Sequence, residues 1–543
     1  MKVMWKAVCV VVLLLAATTI EIGCGNVYRP VAQPLPTTTG NPSGPETEVV
    51  LSCCLSPTNP NAIGPTYSSV LTAVDVSGDS NLGNKVLANL VGNVVGNVAS
   101  PVTPASAPMA FDYARTSVFT ANTTTDSVTQ LLLNTSTAGF SANTTTVSLE
   151  PGSAPIGMSF QYFGSTYTQD YVVNSGTTTA TCPGTGSLGA ITQPSAQLKA
   201  TICVGPTPVS AWIYKDQSKV FVLDSNGLVY VVSASKYQVT NTITVGTAPI
   251  KAAQSNDGNY IYVLNGGDAT TPGSLSIIDG QGVDGEPESV VNTVYPTSNP
   301  SCGAICSSPL IDIAQDTNFN DTTANTQINH VWLLHANGTV SVFDGTTPGK
   351  LTWITSLSTI TTQEVADGVY PTNLALMRDG TGAYVGMGKT DQLVGINTRA
   401  LATGAVTLNA TTRITVGVHR SILQMINGKD VVLETTTPTV NNVAVSRGGN
   451  SAELSKAYAT TTTTTTYNYY DANGTLTSSA TYPNLYNGIT VVAAAGSGAT
   501  PINTSVTTIP APSQVTYCIP ATGEYDGQKN CPAMTPVLVL GRS

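Results

Sequence analysis

The stretch that decides the fold reads, in order, Thr247-Ala248-Pro249-Ile250, Ser255-Asn256-Asp257-Gly258, Asn259-Tyr260-Ile261-Tyr262-Val263-Leu264-Asn265 and Ser274-Leu275-Ser276-Ile277-Ile278-Asp279. Runs rich in β-branched and aromatic residues favour strands, and an Asp-Gly pair between two such runs favours a tight hairpin turn. The stretch therefore predicts a strand, an Asp-Gly turn, a second strand, a polar turn and a third strand. The run Asn241-Thr242-Ile243-Thr244-Val245-Gly246 represents the fourth strand, which leads into the next copy.

Copies of this unit recur along the chain. Six copies open on a proline and a seventh lies around 443–449, the prolines being Pro108, Pro155, Pro208, Pro249, Pro309 and Pro371. Successive prolines are 47, 53, 41, 60 and 62 residues apart. Four short strands repeated about every 40 to 50 residues are typical of β-propeller blades, and longer spacings indicate insertions within blades. The sequence therefore predicts an all-β protein, a propeller of four-stranded antiparallel blades.

The number of blades depends on how the ring closes. Seven copies predict seven blades. However, 69–75 and 86–91 resemble a third and a fourth strand without their first two. Such a half-blade would close the ring by pairing with C-terminal strands, for which 514–518 and 536–540 are candidates. That closure would give eight blades, whereas closure by the copy around 443–449 would give seven.

The repeat resembles a known family. Its proline opening, Asp-Gly turn, Tyr-Val-x-Asn run and Ile-Asp strand end are similar to those of the bacterial YVTN or YncE-like propellers, over about Val70 to Ile509. The resemblance implies a seven-bladed propeller, and the wider group includes lactonase-like relatives.

The N-terminus has the features of an export signal. Lys2 and Lys6 precede an apolar stretch over 7–17, which is too short for a comfortable membrane span. Gly23-Cys24 resembles the end of a bacterial lipobox, which implies cleavage after residue 23 and acylation of Cys24. Plain cleavage without acylation is the alternative, because Glu21 stands where the lipobox has an aliphatic residue.

Three regions follow from these features. We expect a signal peptide over 1–23, a Pro- and Thr-rich linker over 24–65, and one propeller over 66–543 with blade insertions and a disulfide-tied C-terminal segment. A Pro-rich linker of this kind acts as an extended spacer. The predicted location is the bacterial cell envelope, as a lipoprotein of the outer membrane or surface that contacts the membrane through its lipid anchor alone; secretion is the alternative.

Charge excludes one class of partner. Only 10% of the residues are charged, and 21 Lys and Arg stand against 31 Asp and Glu, for a formal net charge of −10. Neutralisation of phosphates is therefore disfavoured, and we expect no binding to nucleic acid.

The cysteines predict disulfides. Eight remain apart from Cys9 and Cys24, and an even number in an exported protein favours pairing. The pairing of the adjacent Cys53 and Cys54 is open. We expect no metal site, since no Cys-x-x-Cys occurs and the histidines lie far from the cysteines in sequence. Short separations favour three pairs: Cys182–Cys203, Cys302–Cys306 and Cys518–Cys531.

Few side chains are candidates for chemistry. His330 and His335 flank a predicted strand over 331–334, which favours structural roles at its two ends. His419 and Arg420 follow a predicted strand end at a blade junction, where they could face the central channel. His419 and Arg420 are therefore the candidates for a ligand-binding or catalytic pair. We expect no cofactor.

Two functional hypotheses follow. The first is a displayed binding or scaffold module for an unidentified protein or glycan partner, without catalysis, since propellers present rigid loops around a channel. The second is a lactonase-like hydrolase that uses His419, Arg420 and channel carboxylates on a sugar lactone, and it rests on fold analogy.

Overall fold

The fold is given by a computed structural model of the 543-residue chain. The residues that it describes are 47–53, 69–75, 79–86, 108–111, 117–133, 139–159, 169–193, 195–268, 270–282, 286–299, 302, 306–315, 319–321, 326–377, 382–398, 408, 411–426, 430–445, 456–483, 486–492, 502, 504–511, 519–520, 529–530 and 535–540.

The protein is a β-propeller. The described residues form eight antiparallel sheets of at least four strands. Of the two blade numbers that the sequence allows, seven and eight, this is the larger. We call them blades 1 to 8. From blade 2 to blade 8, and between blades 8 and 1, neighbouring blades contact each other chiefly through their innermost strands, which places these strands nearest the ring axis.

Blade 1 joins the two ends of the chain. Its strands are β1 (Thr47–Cys53), β2 (Val70–Asp75), β3 (Ser80–Val86) and β38 (Thr535–Leu540), in the order β38-β1-β2-β3. The candidate at 536–540 therefore closes the ring, and 514–518 lies outside the described residues. Two predicted boundaries are wrong. β1 lies within 24–65, which we predicted to be a linker because the short apolar run of β1 is flanked by polar and proline-rich sequence. The outer strand of blade 1 is 80–86 rather than 86–91.

Blades 2, 3, 4, 5 and 7 each use four consecutive strands, which pair in sequence order from inner to outer. Their bounds are β4 Met109–Phe111, β5 Ser117–Asn122, β6 Ser127–Leu133 and β7 Phe140–Ser148; β8 Pro155–Ser159, β9 Gln169–Asn174, β10 Ser187–Thr192 and β11 Gln197–Cys203; β12 Pro208–Ile213, β13 Lys219–Asp224, β14 Leu228–Ser233 and β15 Gln238–Thr244; β16 Pro249–Gln254, β17 Tyr260–Asn265, β18 Ser274–Asp279 and β19 Ser289–Val294; and β26 Tyr370–Leu376, β27 Gly382–Gly388, β28 Gln392–Asn397 and β29 Thr411–Thr415.

Blades 6 and 8 carry insertions. Blade 6 consists of β20 (Leu310–Gln315), β23 (His330–His335), β24 (Thr339–Asp344) and β25 (Thr352–Ser358), with a small hairpin of β21 (Phe319–Asp321) and β22 (Thr326–Ile328) between its first two strands. Blade 8 is built from β30 (Arg420–Ile426), β31 (Asp430–Val445), β32 (Ala457–Tyr470), β33 (Leu476–Pro483), β34 (Gly488–Val492) and β35 (Val506–Pro510).

Helical and minor elements are few. The helix α1 spans Thr362–Ala366, and its capping box joins Thr361 and Glu364. Two 3-10 turns (Thr123–Thr125 and Pro296–Ser298) and a pair of two-residue strands, β36 (Ile519–Pro520) and β37 (Lys529–Asn530), complete the described elements. No helix among the described residues is long and apolar enough to span a membrane.

The core lies between blades. Each hydrophobic cluster joins neighbouring blades, such as Trp332 and Val342 of blade 6 with Val385 and Val394 of blade 7. A further cluster joins Val74 of blade 1 to blade 8. Val, Ile and Leu therefore stabilise the ring by burying apolar surface at the junctions from blade 2 to blade 8 and between blades 8 and 1.

Candidate functional site

The end of the second strand is a repeated polar position. In blades 2, 3, 5 and 6 the last residue of this strand hydrogen-bonds to a Ser or Thr hydroxyl of the third strand. The four residues are Asn122 (2.8 Å to Thr129), Asn174 (3.0 Å to Ser187), Asn265 (2.9 Å to Ser276) and His335 (2.7 Å to Ser341). The Asn of the Tyr-Val-x-Asn run thus stabilises the pairing of the second and third strands through its side chain.

His335 takes the place of this asparagine in blade 6. Its ring is buried, with Nδ1 3.2 Å from the Ser308 carbonyl and Nε2 2.7 Å from Ser341 Oγ. Burial lowers the pKa of His335 to about 4, although the hydrogen bond at Ser308 acts in the opposite direction. The imidazole is therefore neutral at neutral pH. Ser341 also contacts the Cys302–Cys306 disulfide, with Cys306 Sγ 3.4 Å from its Oγ.

A polar belt links the inner strands of blades 5 to 8. Lys251 Nζ lies 2.5 Å from Oδ1 of Asp312, and the Leu374 amide donates to Oδ2 of the same carboxylate at 2.9 Å. Asn373 continues the belt, because its side chain both donates to the Val443 carbonyl and accepts from the Val443 amide. Asp312 is buried and Lys251 is partly exposed. The polar side chains of the belt form hydrogen bonds with groups of the neighbouring blades. We therefore interpret the belt as a structural connection between blades.

Blade 8 continues beyond the ring. The residues of β31 after 439 and of β32 before 462 pair within the blade, whereas 430–439 and 462–470 run on beyond it. In this extension 430–436 pair with β30 and 464–470 pair with β33. The order β30-β31-β32-β33 forms what we call the projecting sheet. A strand of nine residues spans about 30 Å. The threonine run 460–466, which we assigned to an insertion, lies within β32.

One face of the projecting sheet is fixed to the molecule. Glu434 is buried on this face and pairs with Arg420 at 3.0 Å, while the Arg420 guanidinium lies 4.5 Å from the ring of Tyr486. Burial and hydrogen bonding to Glu434 raise the pKa of the Tyr486 hydroxyl. Gly417 passes beneath Pro438 with φ +86°, and a Cβ there would lie 2.4 Å from the proline ring. Glycine thus permits the close approach that seats the sheet.

The opposite face is open, and its described residues are uncharged. Because directly paired residues share a face, the register defines a grid of threonines on β31, β32 and β33. Its members are Thr435, Thr437, Thr439, Thr462, Thr464, Thr466 and Thr481, all exposed or partly exposed. We call this the threonine face; the same side also carries Ser421, Leu423, Met425, Leu433, Asn468, Tyr470, Leu476 and Ser479.

The two candidate residues from the sequence lie side by side but engage different carboxylates. His419 Nε2 is 3.4 Å from Asp391 Oδ2 and 3.2 Å from the Val416 carbonyl. Arg420 pairs with Glu434 at the base of the projecting sheet. His419 therefore contributes to the junction between blades 7 and 8, whereas Arg420 stabilises the packing of β30 on β31 within blade 8.

The predicted disulfides are confirmed where they are described. Cys182–Cys203 and Cys302–Cys306 are bonded, with Cα atoms 5.3 and 5.5 Å apart. The pair Cys518–Cys531 and Cys24 lie outside the described residues. In the described part of the chain, no three His, Cys, Asp or Glu residues form a cluster that could hold a metal ion.

The sequence carries little signal for the threonine face. Thr435, Thr437 and Thr439 stand at every second position, but Thr436 is a threonine as well, and every residue of 460–466 is one. Because no alternation of residue type separates the two faces of these strands, the pairing register is needed to define the face.

Comparison with known proteins assigns the chain to no family. No protein-family model matches the chain, and no curated protein does. Solved structures resemble it, among them hydrazine synthase of Kuenenia stuttgartiensis (14% identity, TM-score 0.43, covering 66% of this chain and 92% of that one). A functionally unknown protein from Desulfotomaculum acetoxidans (11%, 0.42, 68% and 99%) and the β-propeller domain of Cps50 (Swd1) from Myceliophteria thermophila (9%, 0.37, 56% and 85%) are similar as well. At these TM-scores the similarities carry no argument about this chain.

Proposed function

We propose that the protein is an exported β-propeller that binds a neutral glycan through its threonine face. The observation that carries the proposal is the grid of seven threonines on a sheet face that, among the residues the structure describes, has no charged member. Each threonine has a hydroxyl that can donate and accept hydrogen bonds, beside a methyl group. This combination matches the hydroxyls and C–H groups of a sugar. Three of the hydroxyls also bond within the protein: Thr462 donates to Asn441 at 3.4 Å, and Thr466 and Thr481 bond to each other at 3.1 Å.

The spacing of the grid supports a repeating ligand. Neighbouring strands lie about 4.8 Å apart, and alternate residues along a strand about 6.8 Å apart. A polysaccharide presents its own groups at regular intervals, so one chain can contact several threonines at once. Tyr470, on the same face, offers an aromatic ring on which a sugar can stack. A protein partner would more typically seek a fully apolar anchor pocket.

The lactonase-like alternative has less support. His419 and Arg420 bind separate carboxylates, and the belt residues Lys251 and Asp312 satisfy each other. The resemblance to the YVTN and YncE-like propellers, in our reading, accounts for the repeat and the ring rather than for chemistry.

The glycan proposal predicts that charged substitutions on the threonine face weaken the binding of neutral polysaccharides. The double variant T437K/T464K places two lysines among the threonines, and we expect its retardation by neutral polysaccharides in native affinity electrophoresis to fall about tenfold. The control T242K/T244K adds the same charges at two exposed threonines of the outer strand β15 and should behave as the wild type. Hydroxyethyl cellulose, xyloglucan, glucomannan, laminarin and dextran form the panel. Equal retardation of both variants, or no retardation of the wild type by any of these polymers, contradicts the proposal.

Export and anchoring form the second part of the proposal. Two disulfides are compatible with an oxidising compartment, and the N-terminal sequence supports acylation at Cys24. We expect Cys24→Ala to move the protein from the membrane fraction to the soluble fraction, because acyl chains supply the membrane affinity. Cys9→Ala, within the signal segment, should leave the fractionation unchanged. Wild-type protein found entirely in the medium would mean secretion instead.

A further inference from the structure

Strand β30 forms one edge of the projecting sheet. Among the described residues it pairs with β31 on one side, in continuous register from Arg420 opposite Thr436 to Ile426 opposite Asp430, and with no strand on the other. A free edge presents a row of backbone N–H and C=O groups that can receive a further strand.

The usual protections of an edge strand are missing from β30. Such edges are normally blunted by lysines, prolines or bulges, and Arg420-Ser421-Ile422-Leu423-Gln424-Met425-Ile426 contains none of these. Its single charge is held by Glu434 on the fixed face. Leu423 and Met425 are 68% and 73% exposed, more than any other large apolar side chain in the described part of the chain. The edge is therefore neutral, apolar and open.

We propose that β30 pairs with β30 of a second copy of this chain. Two antiparallel strands are related by a two-fold axis, so an edge strand can pair with itself. With the axis at Leu423, this residue faces Leu423 of the partner subunit, and Ser421 faces Met425 of the partner subunit. All of these side chains lie on one face, so pairing covers the exposed Leu423 and Met425 of both copies.

Charge favours a second copy as the occupant. The chain carries a net charge of −10, yet the pairing edge has no net charge once Arg420 is neutralised by Glu434. Identical edges therefore meet without local repulsion. The contact is one strand wide, which places it at the small end of specific interfaces, and we expect a dissociation constant of about 1 μM.

Pairing would also enlarge the surface described above. A two-fold axis perpendicular to the sheet keeps the same face of both copies on one side. The result is a continuous eight-stranded sheet with two threonine faces turned the same way. Self-association itself requires no ligand, so its test is independent of the glycan proposal.

Sedimentation velocity of the purified mature chain from 1 to 100 μM tests the pairing. We expect a monomer–dimer equilibrium in the wild type and at least a roughly tenfold weaker dimer for Leu423→Lys, since two lysines would meet across the axis. The matched control is Leu476→Lys, on the opposite edge strand β33 and the same face, where the side chain is 52% exposed. That variant should dimerise as the wild type does.

Cross-linking gives a positive readout. Directly opposed residues of an antiparallel pair have Cα atoms about 4.5 to 5.5 Å apart, within reach of a disulfide. Leu423→Cys should therefore form a covalent dimer under mild oxidation, and Leu476→Cys should not. A wild type that is monomeric at 100 μM, or a dimer lost in Leu476→Lys and kept in Leu423→Lys, overturns the proposal.

Discussion

Deletion of residues 535–543 is expected to lower the free energy of unfolding by about 5 kcal/mol, because it removes the strand that completes blade 1. β38 pairs with β1 along five positions and contacts β31 and β32 of blade 8. It therefore joins the N-terminal and C-terminal parts of the ring. Its loss would leave β1 as a bare edge and open the junction between blades 8 and 1.

Urea unfolding followed by circular dichroism measures this effect. Deletion of residues 541–543 is the control, since it leaves β38 complete, and it should unfold at the wild-type midpoint. If the longer deletion also unfolds at that midpoint, β38 does not close the ring and the order of strands in blade 1 is wrong.

A drop in stability of about 3 kcal/mol is expected between about pH 6.5 and about pH 4 from His335 alone. Burial lowers the pKa of this residue from 6.5 to about 4, so the unfolded chain takes up the proton first as the pH falls. The stabilisation is complete above pH 6.5 and is lost as the pH approaches 4. About 2 kcal/mol of the loss should occur between pH 7 and pH 5, where carboxylates remain largely ionised.

His335→Asn isolates this contribution. Asparagine occupies the equivalent position in three other blades and bonds there to the third strand (Asn122, Asn174 and Asn265). The variant should fold, and its free energy of unfolding should not show the fall of about 2 kcal/mol between pH 7 and pH 5 that we expect from His335. Free energies of unfolding from urea titrations at pH 7, 6 and 5 give the comparison. An equal decline in wild type and variant would mean that His335 is not the group that titrates.

The sequence predicted the ring more completely than its elaborations. The unit read from Pro249 to Asp279 matches β16, β17 and β18, since strand residues and turn residues alternate there without interruption. β1 was not predicted, because it is a single strand between polar, proline-rich segments and is not part of a recognisable copy of the blade unit. Its place became visible only through its pairing with β38, nearly 500 residues away.

The surface at blade 8 was the hardest part to predict. A run of seven threonines reads as low complexity, and its role depends on β31, whose alternate threonines face it across the pair. Likewise, neither the burial of Glu434 beneath Arg420 nor the engagement of His419 by Asp391 can be obtained from local sequence. Each depends on contacts between segments that only the tertiary fold brings together.

Isothermal titration with a soluble oligosaccharide, taken from whichever polymer retards the wild type, tests the central claim most directly. The comparison is between T437K/T464K on the threonine face and Lys251→Gln in the polar belt, on the inner strands that surround the channel of the ring, where glutamine keeps a donor for Asp312. We predict an affinity at least about tenfold weaker for the face variant and within about twofold of the wild type for the channel variant. The opposite pattern, with binding lost in Lys251→Gln and kept in T437K/T464K, would place the ligand in the channel and contradict the account.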